Sequence, residues 1–160
     1  MDRKGKPEWF HKTQAIEKAG RLLREAMQAT DTTLLSATTL VPIPPSKVKS
    51  DPGYDDRLMG ILHSLAQGLR ADIRELVVQR KSMQPAHGTT TRPKLQELIS
   101  NYAIDEKLVQ PKPRAIAIVD DVLTSGAHYK AMQHTLHVRF PDVPVFGIFI
   151  ARRTPDTSDI

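Results

Sequence analysis

Two adjacent carboxylates, Asp120 and Asp121, follow the clearest strand pattern of the chain, residues 115–119 (AIAIV). A turn of small and hydroxyl-bearing residues comes next and consists of Thr124, Ser125, Gly126 and Ala127, followed by His128. Carboxylates accept hydrogen bonds from sugar hydroxyls or bind Mg²⁺, whereas hydroxyls and the amides of a helix N-terminus bind phosphate. In open α/β sheets, ligands bind at the carboxyl ends of the strands. The segment therefore predicts a site for a phosphorylated sugar such as ribose 5-phosphate.

Three other interpretations of this segment remain open. It is compatible with a purely structural strand–turn–helix in which Ser125 caps the helix. A receiver domain also carries an acid pair after a strand, but that pair lies near the N-terminus, whereas Asp121 stands late in this chain. A Walker B strand also ends in acidic residues, but the sequence contains no G-x-x-x-x-G-K-[ST] loop for nucleotide phosphates.

The acid-pair segment resembles the phosphoribosyl-pyrophosphate (PRPP) motif of type I phosphoribosyltransferases, with an apolar strand, two acidic residues and a Thr/Ser-rich turn around a glycine. A second segment supports the resemblance. Residues 41–47 (VPIPPSK), a basic loop and residues 53–57 (GYDDR) are similar to the pyrophosphate-loop region of the competence-protein-F, amidophosphoribosyltransferase-like subgroup. The resemblance covers residues 39–153, and the acid-pair motif is its specific part.

The resemblance implies transfer of ribose 5-phosphate from PRPP to a nitrogen nucleophile, with Mg²⁺ as cofactor and release of pyrophosphate. Asp120 and Asp121 are then the catalytic and metal-binding residues and hold the ribose hydroxyls. The same resemblance assigns substrate binding to two groups: Ser46 and Lys47 would face pyrophosphate, and Thr124, Ser125, Gly126, Ala127 and His128 would hold the 5-phosphate.

The chain departs from the family at His128, where the family usually has a threonine that touches the 5-phosphate. It also has no cysteine, whereas competence-type members often carry a cysteine zinc module. His128 and the small size of the chain, which leaves little room for a hood over the base, favour a second hypothesis. In it the same pocket senses PRPP or a nucleotide without turnover and signals to a partner.

The elements that must position these residues alternate along the chain. Helical periodicity predicts helices over residues 9–28, 58–69, 93–102 and 125–140, and extended patterns predict strands over residues 38–43, 75–79, 115–119 and 143–150. Alternating strands and helices predict an α/β fold: one domain with a mostly parallel sheet flanked by helices, like that of type I phosphoribosyltransferases, plus an N-terminal helix. We expect an N-terminal helical segment at residues 1–33, the phosphoribosyltransferase-like domain at 34–153 and a tail at 154–160.

Composition limits the classes of partner. Of the 160 residues, 23 are Lys or Arg and 18 are Asp or Glu, so the net charge of +5 favours an anionic ligand. No apolar run approaches the length of a membrane helix, and no secretory signal is visible, so we expect no membrane partner and a cytoplasmic location. Nucleic-acid binding is not indicated by any recognised module, and a homodimer or a protein partner remains open.

Overall fold

The computed structural model describes residues 7–83 and 94–153. The expected tail at 154–160 and the first six residues lie outside the described residues. The helices are α1 (Pro7–Thr30), α2 (Leu34–Ala37), α3 (Arg57–Ala66), α4 (Leu95–Asn101) and α5 (Ala127–Arg139), with a 3₁₀ turn at Glu106–Leu108. The strands are β1 (Thr39–Pro42), β2 (Asp72–Ile73), β3 (Val77–Gln79), β4 (Tyr102–Ile104), β5 (Ile116–Leu123) and β6 (Val145–Arg152).

The main sheet has four strands in the order β2-β1-β5-β6, and all its pairs are parallel. β5 lies at the centre because residues 116–119 are apolar at every position and fully buried, as a strand covered on both faces requires. Helices flank the sheet, and α1 precedes it. The predicted α/β fold with a parallel sheet, flanking helices and an N-terminal helix is therefore confirmed.

Two hydrophobic clusters cover the two faces of this sheet. Because side chains alternate along a strand, Ile116 and Ile118 belong to one cluster, whereas Ala117 and Val119 belong to the other. The first cluster includes residues of α4, α5, β3 and β4, and the second includes residues of α1, α2 and α3. Each face of β5 thus meets a different set of elements, and this alternation decides what lies beside each carboxylate at its end.

Helix α1 is seated closely on α3. A Cβ atom added at Gly20 would lie 2.6 Å from Ser64 Cβ and 2.7 Å from the Ile61 carbonyl oxygen, so only glycine allows this approach. The guanidinium of Arg24 donates to the carbonyl oxygens of Leu65 and Gln67, each at 2.6 Å. These bonds satisfy carbonyls that the end of α3 leaves open, so α1 is a packed part of the domain.

The predicted strand at residues 75–79 forms, but outside the main sheet. Its last three residues form β3, which pairs antiparallel with β4 in a separate two-stranded ribbon. The strand that adds to the main sheet beside β1 is instead the two-residue β2, which is too short to produce an alternation pattern. In the described ranges, 7–83 and 94–153, no helix combines the length and the apolar character needed to cross a membrane.

Candidate functional site at the carboxyl edge of the sheet

The carboxyl ends of β1 and β5 bring the two predicted segments to one edge of the sheet. The strands are parallel neighbours in a register that places Pro42 beside Val119. The Ile43 N–H still donates to the Val119 carbonyl at 3.0 Å, so the chain leaves the sheet next to Asp120. We call residues 43–56, which lead to α3, the β1–α3 loop. The parallel register therefore starts this loop beside the acid pair, although the two are far apart in sequence.

The acid pair lies within β5 rather than after it, since the strand continues to Leu123. The backbone N–H of Asp121 donates to Asp120 Oδ1 at 2.9 Å. On its other side, Asp121 Oδ2 lies 2.7 Å from Arg57 Nη2, with the two side chains 32% and 48% exposed. Arg57 is the first residue of α3, so this ion pair connects the end of the β1–α3 loop to the acid pair.

Burial and a neighbouring negative charge change the proton affinity of Asp120. Burial is the larger cause and the Asp121 carboxylate the second, and together they raise the pKa of Asp120 to about 7. The Asp121 N–H and the Arg57 guanidinium oppose this rise. Near neutral pH, Asp120 is therefore partly protonated, and the pair carries less than two negative charges.

The turn after β5 begins helix α5. Gly126 is the residue before the helix and has φ +74°, a left-handed conformation that glycine adopts without a Cβ penalty. Thr124 and Ser125 are exposed, and Ser125 Oγ accepts weakly from the Ala127 N–H at 3.5 Å. The turn thus presents hydroxyls and the amide end of a thirteen-residue helix at the same edge as the acid pair, an arrangement that favours an anion.

His128 is held inside the protein by Tyr102. The Tyr102 hydroxyl and His128 Nδ1 are 2.8 Å apart, and Tyr102 is 3% exposed. Burial lowers the pKa of His128, while burial and the charge of Asp120 raise the pKa of Tyr102. Tyr102 is therefore the donor and Nδ1 the acceptor, which assigns the histidine proton to Nε2. His128 is a neutral residue whose remaining ring nitrogen is a donor.

Ser46 and Lys47 lie in the β1–α3 loop, which is anchored to the chain after β3. The Ser46 carbonyl accepts from the Met83 N–H at 2.7 Å. Ser82 Oγ accepts from the Val48 N–H at 3.1 Å and donates to Asp51 at 2.8 Å. The Lys47 ammonium has a loose ion pair with Asp51, at 3.9 Å. Lys47 is thus available to an anion, while the loop backbone that carries it is held in place.

A buried hydrogen-bond network anchors the start of the β1–α3 loop. Gln79 Nε2 donates to the Pro45 carbonyl at 2.6 Å, and Asn101 Nδ2 donates to Gln79 Oε1 at 2.7 Å. Asn101 also donates to the Lys81 carbonyl and accepts from the Lys81 N–H. Gln79 and Asn101 are 8% and 3% exposed. Because buried amides are costly when unpaired, this network fixes where the loop leaves the sheet.

The oxygen ligands present are compatible with Mg²⁺ that binds together with phosphate. Mg²⁺ in proteins is commonly held by one or two carboxylates, with water and substrate phosphates completing its coordination, and Asp120 and Asp121 are adjacent carboxylates at this edge. Among the residues that the structure describes, no group of three or more His, Asp or Glu is placed to hold a metal. The acid pair thus suits a cation shared with a ligand rather than a closed protein cage.

A cleft of about 270 Å³ lies at the opposite edge of the sheet, around the amino ends of β1 and β2. Three of its polar side chains bind one another: Arg74 donates twice to Asp72 at 2.7 Å, and Thr39 Oγ1 donates to the same carboxylate at 2.7 Å. The Asp72 carboxylate of this cleft is therefore already satisfied, although Lys112 and Arg114 also line it and are exposed. The carboxyl edge combines hydroxyls, a carboxylate and an ammonium that face solvent in part. We assign the candidate site to the carboxyl edge.

Of the predicted site residues, the structure places Asp120 to His128 on one continuous strand–turn–helix. Ser46 and Lys47 lie in the loop that follows the neighbouring strand β1. In the described part of the chain, no hydrogen bond or ion pair joins Ser46 or Lys47 to the acid pair; the connection runs through Arg57. Sequence reasoning missed Arg57 and Tyr102 as site residues. Arg57 carried one usable signal, a cation at a helix start after a Pro/Gly-punctuated loop.

Comparison with known proteins does not assign a family to the chain. The sequence matches no protein-family model, and no curated protein matches it. The functional conclusion therefore depends on the residues at the carboxyl edge and on the motif resemblance described above.

Proposed function

We propose that the protein binds PRPP at the carboxyl edge of its sheet and transfers ribose 5-phosphate to a nitrogen nucleophile with release of pyrophosphate. The proposal makes the chain a phosphoribosyltransferase of the type I family, closest to the competence-protein-F, amidophosphoribosyltransferase-like subgroup. The motif resemblance supports this identity, and the parallel sheet is compatible with it.

One observation carries the proposal. The register of β1 and β5 brings the β1–α3 loop, the acid pair and the turn before α5 to a single edge. That edge offers an ammonium at Lys47, carboxylates at Asp120 and Asp121, and the N-terminus of α5. A diphosphate, a ribose and a 5-phosphate need these three chemistries.

In this proposal the protein acts mainly by positioning and charge. The bond to pyrophosphate loosens early, and positive charge develops on the ribose ring. Asp120 and Asp121 accept hydrogen bonds from the ribose hydroxyls and stabilise the positive charge on the ring. Thr124 and Ser125 hold the 5-phosphate. His128 adds its Nε2–H donor. Mg²⁺, when bound with the ligand at the acid pair, supplies charge neutralisation for the leaving pyrophosphate.

A second candidate function is a PRPP or nucleotide sensor without turnover. The observation that favours it is the Tyr102–His128 hydrogen bond. Where the family has a threonine hydroxyl at the phosphate, this chain has a largely buried imidazole with one nitrogen committed to the protein. Such a site binds the ligand through the acid pair and the turn. Ligand binding then affects β4 through the hydrogen bond between His128 and Tyr102.

Calorimetric titration with PRPP and Mg²⁺, followed by a screen of nitrogenous bases for pyrophosphate release, tests both functions. Binding with pyrophosphate release from a base supports the transferase. Binding without release from any base supports the sensor. Absence of PRPP binding overturns both.

A further inference from the structure

The contact between Arg57 and Asp121 occupies part of the acid pair that the proposed function needs. Arg57 Nη2 is 2.7 Å from Asp121 Oδ2, and its next anionic neighbour, Asp55 Oδ2, is 3.9 Å away. A carboxylate oxygen bonded to a guanidinium is a poorer ligand for a cation and a poorer acceptor for a hydroxyl, because its charge is already neutralised. In this state the acid pair is only partly available to a cation or to a ribose hydroxyl.

We propose that Arg57 exchanges partners: it pairs with Asp121 in the empty site and with the diphosphate of the ligand in the occupied site. The inference rests on the proposed function, because the acid pair is taken as the place where the cation and ribose bind. It goes beyond that function by assigning Arg57 a role in ligand entry. It also makes cation binding and the Arg57–Asp121 ion pair mutually exclusive.

The placement of Arg57 makes this exchange feasible. Its side chain is 48% exposed, and ion pairs of such exposure are weak because water screens them, so an incoming ligand can break this one. Arg57 is also the first residue after the β1–α3 loop, which contains Lys47. A guanidinium binds phosphate through two parallel hydrogen bonds, so the released side chain has a strong alternative partner.

Arg74 shows by contrast what a structural arginine looks like in this protein. Its side chain is 11% exposed, and it donates to both Asp72 oxygens and to the carbonyls of Leu108 and Pro111. Arg57 has none of these carbonyl contacts in the part of the chain that the structure describes. Its guanidinium is therefore held by one close carboxylate, which is what an exchanging side chain requires.

The test measures two probes on the full chain: Mn²⁺ alone, by water-proton relaxation, and magnesium pyrophosphate, by calorimetry. In Arg57→Gln, Mn²⁺ should bind about twofold to fivefold more tightly because Asp121 is released. Magnesium pyrophosphate should bind about tenfold more weakly because a bidentate donor is lost. Arg57→Lys keeps the charge but cannot donate two parallel hydrogen bonds. Its affinity for each probe should lie between the affinities of the parent and of Arg57→Gln.

The matched control is Arg21→Gln on α1, which changes the net charge equally at an exposed position. Opposite shifts for the two probes beyond those of the control support the exchange. Shifts of the same sign, or shifts equal to the control, overturn it. PRPP titration of the same proteins separates the two claims. PRPP binding without the opposite shifts rejects the exchange alone, and opposite shifts without PRPP binding reject the proposed function alone.

Discussion

The ionisation of Asp120 gives the structure a measurable pH dependence. Its pKa in the folded protein is raised to about 7, from an ordinary 3.8, so between these values the folded state holds a proton that the unfolded chain has lost. The stability that this proton provides is complete below about pH 3.8 and is lost as the pH rises through about 7. Asp120→Asn removes the charge and keeps an oxygen that can accept from the Asp121 N–H.

The size of the effect follows from the pKa difference. Each pKa unit corresponds to about 1.36 kcal/mol, so ionising Asp120 costs at most about 4 kcal/mol of folding free energy. The side chain retains some contact with solvent, which reduces this figure. We expect the stability of Asp120→Asn relative to the parent to increase by about 1–2 kcal/mol between pH 5 and pH 8.

Urea unfolding of both proteins at these two pH values measures the difference, and titrating groups that do not interact with Asp120 cancel because parent and variant share them. Asp142→Asn is the matched control, since the Asp142 side chain is 83% exposed and its removal should give no pH-dependent difference. A stability difference between Asp120→Asn and the parent that is the same at pH 5 and pH 8 would refute the assignment of burial and the neighbouring charge as causes.

Three further predictions concern residues around the site. Asn101→Leu should lower the free energy of unfolding by about 2–3 kcal/mol because its buried partners lose their hydrogen bonds; a loss below about 0.5 kcal/mol in urea unfolding contradicts the network. Gly20→Ala should lower the free energy of unfolding by about 1–3 kcal/mol because the added methyl group overpacks against α3. Adding Ser64→Gly to this variant should restore part of that free energy, and no restoration argues against the contact. His128 should be neutral at pH 7 with its proton on Nε2, as read by ¹⁵N NMR, and Tyr102→Phe should alter this tautomer preference; an Nδ1–H signal in the parent contradicts the Tyr102 donor.

The parallel sheet was predictable because burial on both faces leaves a direct signal in the sequence. Residues 115–119 are apolar at every position, and the helices show their 3.6-residue periodicity. The extent of β5 was not predictable. Asp120 and Asp121 indicate a strand end by their polarity, but β6 continues to pair with β5 as far as Leu123. Long-range pairing of this kind depends on a partner strand that local composition does not reveal.

The grouping of the candidate site residues was only partly predictable. Order along the chain and the rule that ligands bind at carboxyl strand ends were sufficient to place the acid pair and the turn together. The Tyr102–His128 hydrogen bond was not foreseeable, because it depends on β4 folding away from the main sheet beside α5. The buried contacts of Gln79 and Asn101 were not foreseeable for the same reason, since polar residues at the ends of strands and helices ordinarily face solvent.

Titration of the Asp120→Asn, Asp121→Asn double variant with PRPP and Mg²⁺ tests the central claim most directly. A charged acceptor facing a ribose hydroxyl contributes about 1.5–3 kcal/mol. Loss of even one such acceptor weakens binding about tenfold or more, so the double variant should bind PRPP at least tenfold more weakly than the parent. Because Asp120→Asn is expected to stabilise the fold above pH 7, urea unfolding of the same sample separates lost binding from lost structure. A folded double variant that binds PRPP as tightly as the parent would contradict the assignment of the site to the acid pair.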